Sequence, residues 1–315
     1  MRPRFRVIVD NDFSGDPDDL FQLVHHVLSG SVEIPFVIGS HLAAGDFFDP
    51  SERQAENAAE VARDLLARLG RADIPVIAGS NVGMSDRRIP MPSAASAAIV
   101  REALRTDTEL PLFVALGAGM TDLASAVLAE PAIADRLTAV WIGGPEHDGL
   151  GLPFPLEGRV EYNLNIDVPA AQAIFNDSRV PVWQVPRDAY RQALVTRAEL
   201  DARVRPAGAL GAFLAERIDA LAAQAEAHGL LMGETYCLGD QPLVLLTALQ
   251  SAFEADPSSS RYAVVPTPEL TDEGWYRARP DGRPLRVYTQ LDTRLMFEDF
   301  YAKLARFAAE NPTGA

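Results

Sequence analysis

The sequence is poor in cysteine, in clustered basic residues and in long hydrophobic runs. Its one cysteine, Cys237, excludes an intramolecular disulfide framework and favours a reducing compartment. No stretch reaches the roughly 18 apolar residues that a membrane span needs. The residues before the first strand-like run also lack the apolar core of a signal peptide. We therefore expect a cytoplasmic protein with no membrane partner.

The formal net charge is −16, and the 28 Lys and Arg residues are spread along the chain instead of forming basic blocks. Binding to a nucleic acid polymer is disfavoured, because neutralising phosphates requires clustered cations. Hydrophobic residues make up 48% of the chain and charged residues 23%, which is typical of a folded globular protein. The overall acidity by itself indicates only a solvated surface.

Short β-branched runs alternate with segments of helical period. This alternation is typical of βαβ units and predicts an α/β fold with an open, mostly parallel, Rossmann-like central sheet flanked by helices. We see no domain linker and no internal repeat, so we predict a single domain over residues 1–315. The predicted strands are 5–9, 34–39, 74–78, 112–116 and 139–142, and the predicted helices are 18–28, 52–69, 94–104 and 121–128.

Two Pro- and Gly-rich stretches interrupt the alternation, at Gly79–Pro92 and Pro145–Gly158. Each is long enough to form a surface loop or lid beside a site. In open α/β sheets the ligand crevice lies beyond the carboxyl ends of the strands. The residues that follow the predicted strands are therefore the candidates for chemistry.

Carboxylates are concentrated between the first predicted strand and the first predicted helix, where five occur within ten residues: Asp10, Asp12, Asp16, Asp18 and Asp19. Asp16 suits an N-cap, and Asp18 and Asp19 suit a first helical turn, where negative charge is favoured. Capping does not explain Asp10 and Asp12, which follow a buried strand and would share one pocket with the first-turn carboxylates. A hard cation would relieve this repulsion. Calcium, which takes about six to eight oxygen ligands, suits the cluster, although magnesium would also accept such oxygens.

Two other motifs with this spacing fit less well. The early positions match an EF-hand loop, but the twelfth position is Phe21 instead of glutamate, and a strand precedes the loop where an EF-hand has a helix. A haloacid dehalogenase-type Asp-x-Asp also follows a strand, but its usual Thr or Val is absent here because Ser14 follows Phe13.

The aspartate segment resembles the signature of inosine-uridine-type nucleoside hydrolases, and further segments follow in that family's order. The longest is Glu161-Tyr-Asn163-Leu-Asn-Ile-Asp167-Val-Pro-Ala-Ala171, similar to the family's Glu-aromatic-Asn stretch. The resemblance runs from about Val7 to Thr247. The other matching segments are Asn57 within Gln54–Ala59, Pro75–Gly79, Ala115–Gly117, Met120–Ala124 and Ile142–Gly144.

The resemblance implies a calcium-dependent hydrolase that cleaves the N-glycosidic bond of a ribonucleoside or ribosyl analogue by a single, inverting attack of water. Asp12 would be the general base. The calcium ligands would be Asp12, Asp19, Asp240 and the backbone carbonyl of Thr121. The sugar would be bound by Asp18, Asp46, Glu161 and Asn163, with Asp10 in support. The resemblance also implies a homo-oligomer, a dimer or a tetramer, and no organic cofactor.

The chain departs from the family pattern at several places. Gly239 stands where the family has a histidine that handles the leaving base, and His147 and Tyr236 are the candidate substitutes. Asp46 replaces an asparagine, and the usual asparagine about six residues before Glu161 is missing. These changes leave open a second hypothesis, a ribose- or nucleoside-binding homologue that keeps the metal pocket without turnover.

Overall fold

The computed structural model describes residues 1–151, 158–251 and 259–312. The strands are β1 (Phe5–Asn11), β2 (Val32–Glu33), β3 (Val37–Gly39), β4 (Val76–Ala78), β5 (Leu112–Leu116), β6 (Leu137–Ile142), β7 (Val182–Val185), β8 (Leu194–Thr196), β9 (Thr235–Cys237), β10 (Arg261–Pro266), β11 (Glu269–Leu270), β12 (Tyr276–Arg277) and β13 (Pro284–Gln290). The helices are α1 (Asp18–Val27), α2 (Gln54–Arg68), α3 (Ala94–Ala103), α4 (Thr121–Ala129), α5 (Tyr162–Ile166), α6 (Val168–Gln172), α7 (Arg187–Tyr190), α8 (Arg197–Glu199), α9 (Gly208–Ala227), α10 (Pro242–Thr247) and α11 (Thr293–Glu310).

The main sheet has the strand order β10-β13-β7-β6-β5-β1-β3-β4, with β2 beside β1. Every neighbouring pair is parallel except β10 and β13, which are antiparallel. The predicted mostly parallel α/β sheet is therefore confirmed. Strand β1 lies near the middle, where Val9 pairs with Val37 of β3 and with Ala115 of β5.

Helices cover both faces of this sheet, as the continuous apolar runs of its central strands require. Successive β1 residues point to opposite faces, so Val7 and Val9 join one core and Ile8 joins the other. The first core contains side chains from α1, α2, α9, α10 and α11, and the second contains side chains from α3 and α4. Within the described residues, no helix is both long enough and apolar enough to cross a membrane.

The predicted elements are in place, with shifts at their ends. Strand β5 has the predicted bounds, whereas β3 begins at Val37 instead of Ile34, since Pro35 lacks the N–H that a strand ladder needs. Helix α1 begins at Asp18 with Pro17 at the N-cap position, so the predicted N-cap role of Asp16 is wrong by one residue. Asp16 still accepts a hydrogen bond, from the backbone N–H of Asp18 at 3.3 Å.

The first predicted loop follows the carboxyl end of β4 and so borders the carboxyl edge of the sheet. Residues 79–92 contain no helix or strand, and Ser80 and Met84 of this loop donate backbone hydrogen bonds to Asp122 and Asp167. Of the second predicted loop, Pro145–Gly158, residues 152–157 lie outside the described part of the chain.

Candidate active site

Most of the predicted site residues gather around one cavity at the carboxyl edge of the sheet. Parallel strands bring their carboxyl ends to the same edge, so β1, β5 and β6 deliver their following residues to one place. The cavity has a volume of about 160 Å³. It is lined by Asp12, Asp16, Asp18, Asp19, Gly117, Ile142, Glu161, Tyr162, Asn163, Tyr190, Cys237, Gly239 and Asp240.

Three carboxylates in this cavity are close enough to share one cation. One oxygen each from Asp18, Asp19 and Asp240 lies within 4.8 Å of the others. The Oδ2 atoms of Asp12 and Asp19 are buried and have no hydrogen-bond partner. Among the described residues that line the cavity there is no Lys, Arg or His to balance this charge. Buried carboxylate oxygens without donors fit a hard divalent cation.

Burial and mutual repulsion both act against ionisation of these carboxyl groups. Burial raises the pKa of Asp12 well above its usual range, and the neighbouring Asp19 raises it further. Burial likewise raises the pKa values of Asp19 and Asp240. A bound cation would reverse these shifts, because an adjacent opposite charge favours the ionised form.

Asn11 links the acidic residues, and the sequence interpretation did not select it. Its Nδ2 donates to Asp19 Oδ1 at 2.9 Å and to Asp240 Oδ2 at 2.7 Å, while its Oδ1 accepts from the backbone N–H of Gly117 at 3.0 Å. The sequence signal that could have identified Asn11 is the alternation of side chains along β1, which places Asn11 on one face of the sheet and Asp10 on the other. Asn11 thus fixes two candidate metal ligands relative to each other and to β5.

Asp10 and Thr121 lie in a neighbouring polar network, and neither is among the residues that line the cavity. Asp10 is buried and accepts a short hydrogen bond from Ser40, and burial, together with the nearby Asp122, raises its pKa. Thr121 begins α4, and its hydroxyl donates to Asp167 Oδ2 at 2.6 Å.

Glu161 is a fully hydrogen-bonded carboxylate in the cavity wall. It is the N-cap of α5, and Oε2 accepts from the backbone N–H groups of Gly144 at 2.7 Å and Leu164 at 2.9 Å. Its Oε1 accepts from the Tyr190 hydroxyl at 2.9 Å and from the backbone N–H of Asn163 at 3.2 Å. Burial raises the pKa of Glu161, and these four donors oppose that shift.

Asn163 joins the carboxyl ends of two strands beneath the cavity. Its Nδ2 donates to the backbone carbonyls of Gly117 at 2.9 Å and Ile142 at 2.8 Å. Both amide hydrogens are thereby used within the protein. Its side-chain oxygen is the atom that remains available to a ligand in the cavity.

Asp46 reaches the site through Tyr162, at the mouth of the cavity. The Tyr162 hydroxyl donates to Asp46 Oδ2 at 2.8 Å, and Tyr162 itself lines the cavity while 46% of it stays exposed. The predicted sugar-binding residues Asp18, Glu161 and Asn163 therefore line the cavity, and Asp46 stands at its rim.

Gly239 lies at the cavity wall against Asp18 and Tyr190. A Cβ atom added to Gly239 would lie 3.2 Å from Asp18 Oδ2 and 3.4 Å from Tyr190 Cδ2. The Tyr190 ring thus packs closely against the position where a histidine side chain would begin.

The two candidate substitutes for the missing histidine lie outside the cavity lining. His147 lines a separate cavity of about 690 Å³, where its Nε2 is 2.8 Å from Gln184 Oε1 and its ring centroid is 4.6 Å from that of Tyr276. Tyr236 lies on β9 with a buried hydroxyl. Burial, with Asp16 and Asp18 nearby, raises the Tyr236 pKa well above its usual range.

The fold and the site together define a class: α/β proteins with an acidic cluster that could bind a metal ion at the carboxyl edge of a mostly parallel sheet. Within that class, the chain belongs to the inosine-uridine preferring nucleoside hydrolase family, whose model matches residues 7–297. The resemblance found from the sequence motifs is therefore confirmed.

Individual relatives support the same placement. The inosine-uridine preferring nucleoside hydrolase of Leishmania major is 39% identical over 103 residues, and this alignment covers 32% of the present chain and 31% of the relative. The purine-preferring ribonucleoside hydrolase from Gardnerella vaginalis superimposes with a TM-score of 0.73 at 18% identity, covering 96% of this chain and 99% of that one. The Bacillus anthracis inosine-uridine preferring nucleoside hydrolase gives a TM-score of 0.66 at 18% identity, with the same coverage. At such identities the two structures show a shared fold.

Proposed function

We propose that this protein is a calcium-dependent hydrolase that cleaves the N-glycosidic bond of a ribonucleoside or ribosyl analogue to give free base and ribose. Family membership supports the reaction type. The observation that carries the proposal is the cavity in which Asp12 and Asp19 present buried, unpartnered oxygens beside Asp240. Such a cavity suits a cation and leaves polar wall groups for a sugar.

The calcium ion would be held by Asp12, Asp19 and Asp240, and the family resemblance adds the Thr121 carbonyl. When bound, calcium would supply positive charge that orients and polarises the attacking water. Calcium is favoured over magnesium because the donors are several carboxylates in one irregular cluster, which suits a large, flexible coordination sphere.

The protein's own groups account for the remaining steps. Asp12 accepts the proton of the attacking water, since its Oδ2 is buried, unpartnered and inside the cavity. Asp18 is only half-buried and binds ribose hydroxyls, and the side-chain oxygen of Asn163 accepts from another hydroxyl. Attack by one water in a single displacement inverts the anomeric centre.

Glu161 contributes a fixed negative charge to the wall beside the sugar. Its four hydrogen bonds hold it in place, so the charge need not reorganise when the ribosyl ring becomes positively charged in an oxocarbenium-like transition state. Asp46 at the rim and Asp10, on the opposite face of β1 from Asn11, support the binding site. We also propose, from the family resemblance, a cytoplasmic homo-oligomer, a dimer or a tetramer.

Turnover of ribosides before and after removal of divalent cations tests this function. We expect release of ribose that stops with EGTA and returns with added calcium. The isosteric change Asp12→Asn removes the base at nearly constant shape, so kcat should fall at least about 100-fold. The exposed Asp73→Asn, far from the cavity, is the matched control and should retain activity.

Two results would contradict the proposal. Undiminished turnover by the folded Asp12→Asn variant would exclude Asp12 as the general base. Tight binding of ribosides without any turnover by the calcium-loaded wild type would instead favour the nucleoside-binding alternative.

A further inference from the structure

The inference concerns the leaving group and rests on the proposed N-glycosidic hydrolysis. When the C1′–N bond of a neutral nucleoside breaks, its electron pair stays on the base, which departs as an anion unless an acid protonates it. Positioned general acids contribute about 10²–10⁴-fold to such steps. A site that cleaves neutral nucleosides well therefore needs an acid near the base.

The tyrosines and the thiol of the described cavity wall are poorly suited to that role. The Tyr162 hydroxyl donates to Asp46, and the Tyr190 hydroxyl donates to Glu161. Burial raises the pKa values of both tyrosines above their usual range, so both are weak acids. Burial also raises the pKa of the Cys237 thiol to about 12.

Glu161 is not a free acid either, although it lines the cavity. Both of its oxygens accept hydrogen bonds. Oε2 accepts from two backbone N–H groups, and Oε1 accepts from one backbone N–H group and one tyrosine hydroxyl. Four donors already point at its two oxygens, so neither oxygen is placed to carry a proton towards a leaving base.

The charges of the cavity favour a cationic ligand. Six carboxylates line it, and a single divalent cation cannot neutralise all of them. None of the described lining residues is Lys, Arg or His. At the mouth, the half-exposed ring of Tyr162 lies beside the Asp46 carboxylate, held by the 2.8 Å hydrogen bond. An aromatic face next to a carboxylate attracts a flat organic cation by both cation–π and Coulombic attraction.

We propose that the substrate is a riboside whose base carries a positive charge, such as an N-ribosylpyridinium or an N7-alkylated purine riboside. In this reaction the water oxygen bonds to C1′ and one water proton goes to Asp12. The C1′–N bond breaks, and its electron pair neutralises the cationic ring. The base leaves as a neutral molecule, so no general acid is required.

Matched substrates test this proposal on the calcium-loaded wild-type enzyme. Guanosine and 7-methylguanosine differ by one methyl group and one charge. Nicotinamide riboside is the substrate with a pyridinium base. The neutral control is p-nitrophenyl ribofuranoside, whose leaving group needs no acid. We expect kcat/KM for 7-methylguanosine to exceed that for guanosine by more than tenfold, and by about 100-fold if the whole general-acid contribution is missing.

Measuring the Kd of each substrate separates recognition of its charge by the protein from its intrinsic chemical reactivity. Titration calorimetry with the Asp12→Asn variant, which is not expected to turn over, should give a Kd for 7-methylguanosine at least tenfold below that for guanosine. A kcat/KM ratio of tenfold or less, or equal binding of the two nucleosides, overturns the proposal while the hydrolase function stands. No cleavage of any of the four compounds, p-nitrophenyl ribofuranoside included, overturns the hydrolase function itself.

Discussion

At the scale of single residues, Asn11 decides how the candidate metal ligands are arranged. Its one amide group contacts Asp19, Asp240 and the Gly117 backbone, which belong to three segments far apart in the sequence. Groups that orient metal ligands from behind affect metal affinity, because they fix ligand positions before the ion binds. Asn11 is therefore a positioning residue.

Replacing Asn11 with leucine should weaken calcium binding. Leucine has a similar size but cannot donate to Asp19 or Asp240, so the calcium Kd is expected to rise about 10- to 100-fold. Titration calorimetry of calcium into the metal-free protein measures this. Asn311→Leu, at the exposed end of α11, is the control and should leave the Kd unchanged. An unaltered Kd in folded Asn11→Leu would show that the ligands do not depend on this residue.

At the scale of elements, α1 connects the acidic site to the protein interior. Its first turn carries Asp18 and Asp19, and its last turn carries the buried His25 and His26. His25 Nδ1 lies 2.7 Å from Gln241 Oε1, next to Asp240 in the sequence, and His26 Nε2 lies 2.8 Å from Thr247 Oγ1. These two histidines thus connect the last turn of α1 to α10.

The pH dependence of stability should report on this helix. Burial lowers the pKa of His26 well below 6.5, with His25 and Lys303 acting in the same direction. Below pH 6.5 the unfolded chain therefore binds a proton that the folded protein does not, and folding stability decreases as pH falls. The contribution of one histidine approaches about 1.4 kcal/mol per pH unit.

Denaturant unfolding of His26→Gln between pH 7 and pH 5.5, at saturating calcium, measures this contribution. Glutamine does not titrate, so the free energy of unfolding should fall less steeply with decreasing pH than in the wild type. The exposed His228→Gln is the matched control and should keep the wild-type slope. Parallel curves for wild type and His26→Gln would contradict the assignment.

At the scale of the whole molecule, the buried carboxylates of the acidic site should oppose folding until a cation binds. Several buried carboxylates converge on one edge of a protein whose net charge is already −16. A ligand that binds only the folded state stabilises it by mass action. Calcium binding and folding should therefore be coupled.

Calcium at about 100 times its Kd should stabilise the protein by about 2.7 kcal/mol and raise Tm. Differential scanning calorimetry with calcium, with magnesium and with EGTA compares the three states. We expect the largest rise with calcium, and a strongly reduced rise in Asp19→Asn, which lacks one ligand charge. Equal Tm values with calcium and EGTA would argue against a calcium site in this cavity.

Much of this molecule could be predicted from local sequence. The alternation of apolar runs and helical segments predicted the α/β class, and the concentration of Asp10, Asp12, Asp18 and Asp19 between the end of β1 and the start of α1 located the functional edge. These features depend on strand and helix periodicity and on charge repulsion, which act between residues close in the chain. The match of several ordered motifs identified the family.

Tertiary structure decided what local sequence could not. Only the folded sheet places Asp240, more than two hundred residues away, beside Asp19. Side chains alternate along β1, so Asn11 contacts the cavity carboxylates while Asp10 joins the polar network on the opposite face of the strand. The absence of histidine, lysine and arginine from the described cavity lining likewise depends on which side chains the fold brings together. Sequence determines which groups are available, and long-range packing determines which of them share a cavity, because contacts between distant segments leave no periodic pattern in the chain.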